Sequence, residues 1–265
     1  MAEITAAMVK ALREETGQGM MDCKKALEET GGDVEAAKDM LRKKGGQKAA
    51  EKAGRATGEG LIAIADSDGA AAMVEVRCET DFCARNEVFS SMVQSLAETL
   101  LGGEAGPAAA DDAKMTGPVQ DAFNKIGENM SFARGVKISG PCVGHYLHFN
   151  GKVGVIVALD KAIDDELLKD LCMHIAFANP LGIVAEDIPA EMVEKERKFI
   201  KEEVLASGKP EEIAEKMTEG KMRKFFSGVA LHEQAFVKDD KKTVKQVIGE
   251  ANVTEFARFA VGEDS

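Results

Sequence analysis

The sequence predicts an α+β chain. A three-helix module comes first, then two copies of a β-β-α-α-β unit with antiparallel sheets, the second copy carrying an inserted helical hairpin. Three observations predict this. Glycine-bounded amphipathic segments fill the first 44 residues. Two β-hairpin signals are each followed by an apolar helical stripe. Ile-Gly-Glu followed by Phe-Ala-Arg occurs twice, at 126–128 with 132–134 and at 248–250 with 256–258.

The first helix is expected over about residues 5–15, with Ile4, Met8, Val9 and Leu12 on one face, and Gly17 and Gly19 stop it. The second covers 20–29, with Met20, Cys23, Ala26 and Leu27 as inner positions, and Gly31-Gly32 ends it. Asp33 caps a third, with Val34, Ala37, Met40 and Leu41 inward and Gly45 just past its end. A unit of residues 1–45 has a small core. Adjacent helix residues point about 100° apart, so Met20 and Met21 cannot both be central. They either line the core edge or form an exposed docking patch. Residues 46–60, rich in Gly, Ala and Lys, read as a linker, in part helical.

The first unit spans 61–140. Apolar runs at 61–65 and 71–78 flank Asp66-Ser67-Asp68-Gly69, a hairpin signal. Val88, Phe89, Met92, Val93, Leu96 and Leu100 then make a helical stripe. The second unit spans 141–262, with strands at 146–149 and 153–159 around Asn150-Gly151. Its stripe is Leu167, Leu168, Leu171, Cys172, Ile175 and Ala176. In each unit Ile-Gly-Glu closes a helix and Phe-Ala-Arg opens the terminal strand. The second unit is 37 residues longer from hairpin to Ile-Gly-Glu, and residues 189–227 supply the excess. Two charged helical patterns flank Ser207-Gly208-Lys209-Pro210. Met192, Phe199, Ile200 and Val204 share one side of the first, and Ile213, Met217 and Phe225 lie on the second. At ~1.5 Å per residue each arm reaches about 25 Å. Such a hairpin either meets another molecule or packs back on its own domain. Residues 263–265 are a short tail.

Charge narrows the function classes. The formal net charge is −12, with 46 acidic against 34 basic residues, which argues against general nucleic-acid binding. No apolar run approaches the ~20 residues that span a bilayer, and the first residues read as neither a signal nor a transit peptide, so a cytoplasmic protein is expected. The five cysteines include no CxxC and read as buried or half-buried free thiols. The four histidines form no HExxH, and the glycine-rich phosphate and dinucleotide motifs are missing. No catalytic constellation, metal set or cofactor site is expected.

One stretch stands apart. Arg-Cys-Glu-Thr-Asp-Phe-Cys-Ala-Arg-Asn-Glu-Val-Phe, residues 77–89, joins a strand to an Asn86-capped helix through a connection at 79–85. It places Phe82 beside Asp81 in a chain with no Trp and one Tyr. The second unit's connection at 160–163 is shorter and has no aromatic residue. Phe82 is thus extra to the shared plan. Pattern alone leaves two readings: the ring packs on its own sheet while Asp81 caps a turn, or both face a partner.

Three segments carry a resemblance. LREETGQGMMDCKKALEET at 12–30, ETDFCARNEVF at 79–89 and GKPEEIAEKMTEGKMRKF at 208–225 are similar, in that order, to signatures of the bacterial elongation factor Ts family. The similarity covers nearly the whole chain. It implies an N-terminal module like a ubiquitin-associated domain, a two-subdomain core and an antiparallel coiled coil inserted in the second. It also implies guanine-nucleotide exchange on elongation factor Tu, without covalent chemistry; a Tu-binding adaptor or holdase is the alternative. By this resemblance Thr80, Asp81, Phe82 and Cys83 dislodge the Mg²⁺ site of Tu, and Leu12, Met20 and Met21 dock on its G domain. His148, on the first strand of the second unit, resembles a histidine near a second contact region. Its context, LHFNGKVGV, departs from the family's QHG-type pattern, and a structural strand histidine is the other reading. Family members commonly continue into a C-terminal helical module that touches Tu; this chain ends at Ser265, which leaves two readings, a short-tailed member or a missing tail.

Overall fold

Hairpin turns, helix caps and paired apolar faces build the observed architecture. The computed structural model describes residues 4–206 and 210–263. The expected turn residues Ser207, Gly208 and Lys209, and Asp264 and Ser265 of the tail, lie outside the described residues.

Helices α1 (Ala6–Thr16), α2 (Met20–Glu29) and α3 (Val34–Lys52) form the N-terminal module. Thr5 and Asp33 cap α1 and α3 through their side chains. Val9, Leu12, Cys23, Ala26, Leu27, Ala37 and Leu41 make its core. Met20, expected as an inner position, turns outward with Met21. The helical part of the expected linker is 46–52, which continues α3. Gly45 does not end α3 but lies buried within it, where a Cβ would stand 2.3 Å from Asn124 Oδ1 of the core. Glycine there serves a close helix approach, and packing overrides its weak helix propensity. Residues 53–58 make the shorter connection that remains.

The first unit runs β1 (Glu59–Ser67), β2 (Ala70–Cys78), α4 (Asp81–Ala84), α5 (Glu87–Leu101), β3 (Gly106–Pro107), α6 (Ala113–Ile126) and β4 (Met130–Ser139). Its antiparallel sheet has the order β1-β2-β4-β3. The second runs β5 (Cys142–Leu147), β6 (Val153–Leu159) and α7 (Asp165–Ala178). Helices α8 (Ala190–Ala206) and α9 (Glu211–Val229) follow, then β7 (Ala235–Phe236), β8 (Asp239–Thr243), α10 (Val244–Ile248) and β9 (Val253–Ala260). Its main sheet is β5-β6-β9, so both units place the terminal strand beside the hairpin's second strand. The small β7–β8 hairpin carries no apolar run long enough to mark it in sequence.

Each sheet packs helices on one face: α5 and α6 on the first, α7 and α10 on the second. The opposite faces are not solvated. Ile62, Ala71, Met73 and Ile138 meet Ile156, Ala158 and Phe259 in a seam between the sheets. This explains why β2 and β6 read as continuous apolar runs: both faces are buried. Gly154 of β6 permits the close approach, since a Cβ there would lie 2.7 Å from Ile62 and 2.8 Å from Met73.

Helices α8 and α9 pair as an antiparallel hairpin, joined across their exposed flanks by Arg197–Glu219 and Lys221–Glu203 ion pairs. Ile200, Val204, Ala214 and Met222 form the seam, with Val193, Phe225 and Phe226 at its edge. The expected stripes are therefore rotated: Met192, Phe199, Ile213 and Met217 are exposed. A local pattern ranks residues by apolarity, whereas two narrow helices bury only the side that meets the partner.

Candidate functional site

The strand β2 ends at Cys78, and the chain then makes one short helix before α5. The expected seven-residue connection thus contains the four-residue α4. Thr80 is its N-cap: its hydroxyl accepts from the Cys83 N–H at 3.1 Å. The same hydroxyl donates to the Glu128 carboxylate, whose two oxygens both stand 3.0 Å away. One residue earlier, Glu79 accepts from the Asn129 N–H at 2.5 Å and pairs with Arg55 at 3.2 Å. The Asn129 hydrogen bond first, then Arg55, holds the Glu79 carboxyl below its usual range.

Within α4 the side chains divide. Cys83 and Ala84 are buried in the helix-covered core of the first unit. The hydrogen bond with Cys78 and then burial push the Cys83 thiol above its ordinary value, so it is a protonated core group. Asp81 points outward and pairs with Arg85 at 3.1 Å. Phe82 is 78% exposed. Of the four expected contact residues, Asp81 and Phe82 therefore face solvent, while Thr80 and Cys83 anchor the turn that presents them.

His148 sits one residue beyond β5, in the hairpin turn and not on the strand as expected, because the Asn150-Gly151 turn begins at its carbonyl. Its Nδ1 lies 2.8 Å from the Tyr146 hydroxyl, and its ring centroid is 4.5 Å from that of Phe149. Phe149 is 93% exposed. The turn docks on the start of β1: the Ile62 N–H donates to the Gly151 carbonyl at 2.8 Å, and Lys152 pairs with Glu59 at 2.7 Å. Glu59 is opposite Cys78 in the ladder. His148 and Phe149 thus share one end of the molecule with Phe82.

The third expected contact lies on the N-terminal module. Met20 and Met21 are 55% and 64% exposed. Leu12, expected beside them, is 1% exposed and packs in the module core, so only the two methionines of this set face solvent. The module is tied to the core by Lys52, which donates to the Gly127 carbonyl and lies 5.8 Å over the Phe123 ring. The Asn129 amide donates to the Arg55 carbonyl at 2.9 Å.

Sequence reasoning missed Glu79, Glu128 and Phe149. The only local sign of Glu128 was its place in the repeated Ile-Gly-Glu. Among the described residues, no three His, Cys, Asp or Glu side chains gather as a metal-ligand set. No described helix is long and apolar enough to cross a membrane.

Comparison with known proteins bears on the family of the chain. The family model "Elongation factor TS" matches residues 79–263. An elongation factor Ts of Bartonella henselae is 44% identical, covering 98% of this chain and 93% of that protein. The elongation factor Ts of Hydrogenovibrio crunogenus is 47% identical over 98% of this chain and 92% of its own length. That of Pasteurella multocida is 46% identical over 99% and 93%. With the family model spanning most of the chain and these relatives spanning nearly all of it, the chain belongs to the elongation factor Ts family.

Proposed function

We propose that this chain accelerates GDP release from elongation factor Tu by presenting Phe82 and Asp81 to the nucleotide site of that GTPase. A GTPase holds GDP through phosphate contacts and a Mg²⁺ ion. A factor that binds the nucleotide-free form better than the GDP form shifts that equilibrium without covalent chemistry. By linkage, incoming nucleotide weakens the factor's binding equally.

The observation that carries the reading is Phe82. It is a large apolar ring, 78% exposed, on a capped turn whose neighbours Cys83 and Ala84 are buried. The ring has no role in this chain's own core, and its turn is anchored by the Thr80 cap and by buried Cys83 and Ala84. Such a ring inserted between two elements of a partner buries about 150–250 Å² and acts as a hot spot. Asp81, beside it, adds a carboxylate that competes for the polar groups around the partner's Mg²⁺.

Met20 and Met21 on the three-helix module, which we read as UBA-like, supply a second apolar contact. His148 with Phe149 supplies a third. The α8–α9 pair, read as a coiled coil, projects from the second unit as an additional partner surface.

The test is release of a fluorescent GDP analogue from purified Tu. Acceleration by substoichiometric amounts of the chain is the expected result. Tight binding with unchanged release would instead make the protein an adaptor or holdase.

A further inference from the structure

The two units carry the same clamp, and only one of them holds a turn in it. In the first, the residue after the central strand, Glu79, takes the N–H of Asn129, which precedes the terminal strand. In the second, Asp160 takes the N–H of Asn252 at 2.8 Å and its side-chain amide at 2.8 Å. The next residue in each then meets the glutamate of Ile-Gly-Glu: Thr80 with Glu128, and Lys161 with Glu250 at 3.2 Å. The second pair is an exposed ion pair between long side chains. Contacts of that kind contribute little.

The first pair differs in chemistry. A threonine hydroxyl has one hydrogen and two lone pairs. With its hydrogen directed at Glu128, 3.0 Å from both oxygens, the lone pairs are left for the Cys83 N–H at 3.1 Å. Glu128 thereby sets the rotor of the group that caps α4. A four-residue helix has one turn and little else to hold its N-terminus.

We infer that Glu128 is a positioning residue for exchange: it orients the Thr80 cap and so fixes the one-turn helix that presents Asp81 and Phe82, without touching the partner itself. This rests on the exchange reading above. The Thr80–Glu128 contact tunes the turn, while the Glu79–Asn129 contact is the fold's common fastener.

Glu128→Ala, Glu128→Gln and Glu250→Ala are compared in the full chain by two independent measurements. The first is amide hydrogen exchange of the peptide spanning 79–86, which needs no partner. Glu128→Ala raises exchange at Cys83 and Ala84, Glu128→Gln retains an acceptor and leaves it near wild type, and Glu250→Ala leaves it unchanged. The second is GDP release from Tu over a range of factor concentrations. Glu128→Ala lowers the maximal rate roughly tenfold, with the half-saturating concentration within about twofold of wild type, because the remaining contact surface is intact. Glu128→Gln restores most of the rate.

Unchanged exchange at Cys83 in Glu128→Ala overturns the inference whatever the partner. So does an equal loss of rate in Glu250→Ala, which would mark a general stability effect. If wild type itself fails to release GDP while the hydrogen-exchange pattern holds, the functional reading falls and Glu128 remains only the fastener of the turn. Should Glu128→Ala not fold, Thr80→Val tests the same contact from the other side, with the same expected rise and loss.

Discussion

The two β-β-α-α-β units follow the same chain path but use equivalent positions for opposite purposes. Fourth from the end of its central strand, the first unit has Glu75 and the second has Ile156; both are fully buried in the seam. Each unit also has one register shift in its terminal strand, but at different places. In the first it falls between Phe132 and Arg134, so Phe132 faces the helices and Arg134 turns into the seam. There Arg134 meets Glu75 at 2.7 Å and stacks 4.3 Å from the Phe259 ring. In the second the shift comes before Phe256, so Arg258 stays on the helix side and donates to the Ala176 carbonyl at 3.1 Å. A bulge re-aims every side chain beyond it. The same Phe-Ala-Arg therefore does two jobs. Glu75 also accepts from Arg77 at 2.8 Å and from the Gly262 N–H at 3.2 Å, so it latches the end of the second unit to the first. The difference teaches that a repeat fixes topology cheaply and leaves single positions free to join the copies or to serve a partner.

The largest expected effect breaks that latch. Glu75→Ala leaves Arg77 and Arg134 facing a buried void and should cost about 3–5 kcal/mol in urea unfolding. A loss under about 1 kcal/mol would mean that the seam is held by its apolar residues alone. Next is the asymmetry of the connections. Phe82→Ala should lower GDP release from Tu by about 2–3 kcal/mol in kcat/KM, roughly 30- to 150-fold. Its melting temperature should match wild type, because the ring is exposed. Full activity in a folded Phe82→Ala protein would remove insertion of the ring from the mechanism. Gly154→Val then probes the seam from the second unit. Its added atoms meet Ile62 and Met73, and a loss of about 1–3 kcal/mol is expected. A neutral result would show that the sheets can separate locally.

The smallest effect is a pH dependence confined to one unit. The tenth residue of α5 is Leu96, and the tenth of α7 is His174; both are buried. Burial holds the His174 pKa below its ordinary value, against the Gln234 hydrogen bond, and its Nδ1 accepts from the Val237 N–H at 3.2 Å. With the folded pKa depressed, the neutral ring's contribution is complete above the unfolded value of about 6.5. It is lost as pH falls from there toward the folded pKa. Acidification from neutrality should therefore loosen α7 before α5, read by hydrogen exchange. His174→Gln should flatten that response, and an equal response in both helices would assign it elsewhere.

Much of this plan was legible locally. The Asp68-Gly69 and Asn150-Gly151 turns fix hairpins through residues that tolerate tight turns. Thr5, Asp33 and Asn86 cap helices as their chemistry dictates. The stripes of α5 and α7 face their sheets because a 3.6-residue period repeats one side. The repeat itself exposed Phe82 as an addition. What escaped was longer in range. Gly45 looked like a helix stop because its reason for being glycine lies on α6. The rotated stripes of α8 and α9 depend on which side a neighbour covers, as does the choice between the two readings of Met20 and Met21. The continuous apolar runs of β2 and β6 did carry the sign of a second buried face.

By itself, then, the sequence determined the order of the main strands and helices, the duplication and the presence of an aromatic beside a carboxylate that the shared plan does not require. Local sterics and periodicity act within a few residues, so they can be read in line. Only the tertiary structure decided that the two sheets meet face to face, and that Leu12 and Cys83 are core while Phe82 is surface. It also decided that Glu128 reaches Thr80 across 48 residues of chain. Those outcomes depend on which distant groups arrive at the same place, and a single chain position carries no record of that.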